Sequence, residues 1–160
     1  MAHSYTAEVA WNREAAAVFT DNRYSRAHVW RFDGGVAVPA SSAPSSVRVP
    51  FSREDAVDPE EALVASVSSC HMLFFLAFAA KQGFRVDSYV DKAEGVMSPN
   101  DKGKLYVSTV TLRPAVTFSG DRLPSRADID HLHHRSHEEC YIANSVRAEV
   151  VVEASDPIIA

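Results

Sequence analysis

The chain has two cysteines, Cys70 in SVSSCHMLFF and Cys140 in HEECYIANSV. A thiol reacts as its thiolate. An unperturbed cysteine, with a pKa of about 8.5, is only a few per cent thiolate at neutral pH, so a nucleophilic role needs help from its surroundings. Ser68 and Ser69 could supply it by interrupting the helix read below and starting a new one, because a helix first turn favours negative charge. Two thiols whose Cα atoms come within about 4.4–6.8 Å can also be oxidised to a disulfide. The plainer reading of either cysteine is a small buried hydrophobe.

A rival constellation lies just before Cys140. HLHHRSHEEC places His133 and His137 at i,i+4 and Cys140 three residues further on, a spacing that can gather zinc ligands on one helix face. A solvated polar face is the simpler account of the same residues, His131 included. Hydrolysis by a Ser/His/Asp set finds no support, as the chain lacks a nucleophile elbow.

Composition narrows the partners. The net charge is −5 and the pI near 5.8, with acids and bases interspersed, so no basic face is offered to nucleic acid. The N-terminal MAHSYTAEVAWNRE has no basic segment followed by an apolar run, and two cysteines do not make a secreted disulfide scaffold. The expectation is a cytoplasmic protein with reduced thiols, folded as one domain over residues 1–160.

The element that must position Cys70 is the stretch Asp58–Phe84. Asp58 suits an N-cap, Pro59 a first turn, Glu60 and Glu61 the positive end of the dipole, and Gly83 a C′ position. Between them Ala62–Ala80 are 19 residues without a full charge. That length just reaches a membrane span, but Ser66, Ser68, Ser69 and His71 interrupt it and no basic cluster or aromatic belt flanks it. A buried helix is the better reading, so no membrane partner is expected.

Around it, Tyr5–Trp11, Arg26–Asp33 and Val36–Val38 read as strands, the last two joined by Gly34-Gly35. Pro39–Pro50 is a Ser/Pro-rich loop. Arg85–Met97 and Lys104–Phe118 read as two long strands joined through Ser98–Gly103, with Pro114 marking an edge or a bulge. Pro124–Glu139 reads as a helix with Ser125 as a possible cap and Ile129 and Leu132 facing inward, and Arg147–Glu153 as a last strand. The order predicts an α+β fold, a mostly antiparallel sheet packed on a central helix. One sheet covers only one side of a helix that is apolar all round, which predicts a homodimer with paired central helices.

DPEEALVASVSSC and HEECYIANSV together resemble the two cysteine motifs of the OsmC/Ohr family, and YSRAHVWRFDGG with its Ser/Pro-rich loop resembles one branch of it. The resemblance covers nearly the whole chain. It implies an intertwined α+β dimer with active sites at the subunit interface, and a thiol peroxidase that reduces organic hydroperoxides. Cys70 is then the peroxidatic cysteine, Cys140 the resolving one, and Glu60 the family's glutamate. Arg26 is the best match for its arginine, with Arg31 left open.

The implied chemistry is coherent and needs no cofactor or metal. A guanidinium beside Cys70 would stabilise the thiolate and bond the peroxide oxygens, held in place by Glu60. The Cys70 sulfenic acid would condense with Cys140, and a dithiol reductant such as a lipoyl group would restore both. Met72, Leu73, Phe74, Phe75 and Phe78 would form an apolar wall suited to an alkyl or fatty-acyl hydroperoxide, or simply helix core. Ten residues of unbroken helix span about 15 Å, so Glu60 joins Cys70 only if the helix breaks or a second subunit intervenes. The alternative is a metal- or ligand-binding protein of the same fold with little catalysis.

Overall fold

In the computed structural model, which describes residues 2–160, the chain divides into two compact units, one ending at Ala62 and the other Leu63–Ala160. The first holds a three-stranded antiparallel sheet, β1 (Ala7–Ala10), β2 (His28–Phe32) and β3 (Ala37–Ala40), in that order. Gly35, at φ +84°, makes the turn between β2 and β3, where a side chain would be strained.

Helix α1 runs unbroken over Pro59–Lys81. Its ends follow from the residues that flank it. The Asp58 carboxylate accepts from Glu61 N at 2.8 Å while Glu61 Oε1 accepts from Asp58 N at 2.9 Å, a reciprocal cap. At the other end Gly83 takes φ +78°, Gly83 N donates to Ala80 O and Phe84 N donates to Ala79 O, both at 3.0 Å. That is the Schellman arrangement, and glycine is what permits it. Ser68 and Ser69 do not interrupt the helix. Ser68 Oγ donates to the Asp91 carboxylate, so its hydroxyl is used outside the helix rather than as a cap.

The unit Leu63–Ala160 carries two further sheets. β4 (Arg85–Asp91), β7 (Pro114–Ser119) and β9 (Ile158–Ile159) form one in the order β4-β7-β9; β5 (Glu94–Pro99), β6 (Leu105–Leu112) and β8 (Glu149–Val152) form the other in the order β5-β6-β8. The hairpin pairs are antiparallel, whereas β6 with β8 and β7 with β9 are parallel. The two long strands expected from sequence are thus each bent into two, at Lys92-Ala93 and at Arg113. Asp91 Oδ1 accepts from Arg113 N at 2.6 Å and ties the two bends together. Pro114 stands in the middle strand of its sheet, not on an edge, but as the first residue of β7, where a ladder donor is dispensable.

Helix α2 (Arg126–Glu139) begins at a capping box between Ser125 and Asp128. Its Ile129 and Leu132 pack with Phe75, Phe78, Ala79, Phe84, Val116 and Phe118 in one core, and Val67, Val110 and Leu112 form a second beneath β5, β6 and β8. Of the most apolar 18 residues of α1, only 28% are buried within the chain. Leu73 stands 60% exposed.

Candidate active site

The structure brings Cys70 and Cys140 together. Both thiols are free, Cys70 partly exposed and Cys140 fully buried. Burial, with the Cys70 side chain close by, pushes the Cys140 thiol up to about 11. Cys140 is held there by the end of α2. It is the C-cap, in extended conformation, and the Asn144 side-chain amide donates to Glu138 O at 2.9 Å and Cys140 O at 3.0 Å. Cys140 O also accepts from Asn144 N at 3.0 Å, so both the backbone and the side chain of Asn144 satisfy carbonyls at the helix terminus. Ser145 Oγ donates to Tyr141 O at 2.7 Å. The Asn and Ser after the cysteine therefore fix the turn that carries it. Within that turn Ala143 N donates to Cys140 Sγ at 3.3 Å and pulls against the effect of burial.

Beside the thiols lies a pair that spacing alone does not reveal. His71, next to Cys70, and His133 on α2 stack at 5.3 Å, with His71 Nε2 3.0 Å from His133 Nδ1. Both are almost wholly buried, and Phe75 stacks on His133 at 4.4 Å. Burial pushes His71 down to about 4, reinforced by His137 and opposed by Asp91; it pushes His133 down to about 3, reinforced by His71 and Arg126. Two neutral imidazoles share the bond, one donating and one accepting. The only signal in the sequence was a histidine inside an uncharged helix.

His133 is thereby turned inward, away from the metal-ligand role its spacing with His137 offers. Among the described residues no three His, Cys, Asp or Glu side chains gather as metal ligands.

Arg26 and Glu60 lie in the unit ending at Ala62. They line one cavity of about 500 Å3 together with Val9, Trp11, Phe19, Tyr24, His28 and Ser42. Its aromatic wall is internally packed, with Trp11, Phe19 and Tyr24 at 4.6–5.7 Å from one another. The Arg26 guanidinium lies 3.7 Å over the Tyr24 ring and donates to Tyr24 O and to Asn22 O and Oδ1. Its partners are its own loop rather than Glu60. Arg31 pairs with Glu8 across β1 and β2, where both are exposed. Since α1 is continuous, about 15 Å of helix axis separates Glu60 from Cys70.

A buried cysteine and a partly exposed one in contact, on two helices packed against bent antiparallel hairpins, define a dithiol α+β protein. The sequence matches the family of OsmC-like proteins over residues 52–155, and the chain belongs to that family. A solved OsmC-like protein of unknown function from Vibrio cholerae O1 biovar eltor is 52% identical, with 96% of this chain and 100% of that one covered and a TM-score of 0.95. An organic hydroperoxide resistance protein from Legionella pneumophila shares the fold at 13% identity, coverage of 99% and 98%, and TM-score 0.62. Another from Elizabethkingia anophelis does so at 12% identity, 100% and 97%, and 0.66. No curated protein matches the sequence significantly.

Proposed function

We propose that the chain is a thiol peroxidase that reduces organic hydroperoxides, acting as a homodimer. The observation that carries this reading is the proximity of Cys70 to Cys140, close enough to act on the Cys140 thiol. It supports a cycle in which Cys70 thiolate attacks one peroxide oxygen, the O–O bond breaks and the alkoxide leaves as the alcohol. The Cys70 sulfenic acid then accepts the Cys140 sulfur, losing water as the disulfide forms. Cys70 is the first nucleophile because it reaches the surface and Cys140 does not. A dithiol reductant, in a reducing compartment such as the cytoplasm, returns both to thiols.

The dimer is supported by the apolar surface of α1 that one chain leaves uncovered. It also meets the condition set by the unbroken helix: Arg26 and Glu60 serve the thiol of a second protomer. Their common cavity supports assigning them to one role, with Arg26 preferred to the surface-paired Arg31. Its aromatic wall suits a substrate with an apolar body better than hydrogen peroxide.

The test is consumption of an aryl or alkyl hydroperoxide by the reduced protein and two variants. Cys70→Ser should consume none. Cys140→Ser should turn over once and stop, carrying a sulfenic acid that a dimedone probe captures. Undiminished consumption by Cys70→Ser would overturn the reading.

A further inference from the structure

The two sulfurs of the pair are unequal in a way that bears on the return half of the cycle. Thiol–disulfide exchange proceeds by attack of a thiolate on one sulfur along the S–S axis, and access decides which sulfur is attacked. Cys140 is buried at 0% exposure, just ahead of the turn Ala143–Ser145. Cys70 is partly exposed. The leaving sulfur must accept negative charge, which burial of Cys140 opposes and a donor aimed at its sulfur partly offsets. Ala143 N, at 3.3 Å, is aimed at Cys140 Sγ. Backbone donors fixed by a turn need no reorganisation when charge develops.

We infer that an external thiol attacks Cys70 Sγ, and that Cys140 departs as a thiolate received by the backbone N–H of Ala143. In the balanced step the attacking thiolate forms a mixed disulfide with Cys70 while the Cys70–Cys140 bond breaks. The electron pair goes to Cys140, which then takes a proton. A second thiol, or the other sulfur of a dithiol, attacks the mixed disulfide and releases Cys70. Burial drives the released Cys140 to stay protonated, up to about pH 11, so it is slow to attack the mixed disulfide and close the bond again. The mixed disulfide therefore persists on Cys70 long enough for a reductant to complete the exchange. Asn144 and Ser145 act as positioning residues, because they hold the turn that presents this donor.

This inference rests on the disulfide of the proposed cycle, but its test does not use peroxide. The native chain is oxidised with diamide, treated briefly with 2-mercaptoethanol, quenched in acid, alkylated with N-ethylmaleimide and mapped as peptides. The expected result is the mercaptoethanol adduct on Cys70 and the maleimide on Cys140, by about tenfold or more over the reverse. An adduct mainly on Cys140, an even distribution, or failure of diamide to form the disulfide would overturn the inference. Ala143→Pro removes that donor, and its disulfide should be reduced by 2-mercaptoethanol about tenfold more slowly, with native circular dichroism. An unchanged rate in that folded variant would remove the donor from the step. Should the variant not fold, the peptide map of the native chain decides. Normal mapping alongside an inert response to hydroperoxide would separate this inference from the peroxidase reading.

Discussion

Acidification from pH 7 to pH 5 acts on the buried imidazole pair before it reaches the carboxylates. In the folded protein His71 titrates near 4 and His133 near 3, against about 6.5 in the unfolded chain. Between those limits the unfolded state binds protons that the folded state refuses, so stability rises with pH and is lost as pH falls from about 6.5 toward 3. Each group costs about 1.4 kcal/mol per pH unit below 6.5, which is about 2 kcal/mol by pH 5 and about 4 kcal/mol for the pair. That is a large part of the 5–15 kcal/mol typical of a folded domain. Asp55 and Asp128 are held below their ordinary value by Arg53 and Ser125 respectively, so their contributions are lost only at lower pH and leave the window clear. Urea unfolding at pH 7.0 and 5.0, at one protein concentration, reads the difference directly. His133→Phe keeps the ring stack but removes one titrating group, and should roughly halve the loss. A wild-type loss under about 1 kcal/mol, or an unchanged loss in the variant, would refute the reasoning.

Other expectations follow from single contacts. A Cβ added at Gly95 would stand 2.5 Å from Val64 Cγ2, a stiff β-branched side chain, so Gly95→Ala should cost about 1–3 kcal/mol in denaturant titration. Leu73→Glu places a charge on the exposed apolar face of α1 and should shift sedimentation from dimer to monomer; a dimer unchanged at micromolar concentration would move the interface elsewhere. Arg26→Ala and Glu60→Gln should each lower kcat/KM for an organic hydroperoxide by about 10- to 100-fold, the weight of one charged hydrogen bond, whereas Arg31→Ala should leave it near wild type.

Much of this architecture is legible in the chain because the signals are local. Asp58 and Gly83 cap α1 as their positions predict, and Ser125 opens α2. The two cysteine motifs likewise predict partners that the fold brings into contact. What the sequence conceals is non-local. The bends at Lys92-Ala93 and Arg113 are fixed by one carboxylate, Asp91, twenty-two residues from the amide it holds, and no periodicity reports that. His133 carries a metal-like spacing with His137, yet its partner is His71, sixty-two residues away. The serines before Cys70 read as a helix break, but Ser68 spends its hydroxyl on Asp91 and the helix continues. Arg26 and Glu60 are legible as candidates, but the loop bonds that occupy Arg26 are not, because they depend on carbonyl directions that only the folded turn defines.

The central claim is that Cys70 and Cys140 are oxidised together by an organic hydroperoxide. Intact mass and thiol titration, after one equivalent of cumene hydroperoxide is added to the fully reduced chain, test it most directly. The account predicts the loss of two hydrogens and of both thiols, with both restored by a dithiol. Retention of both thiols at unchanged mass would contradict it.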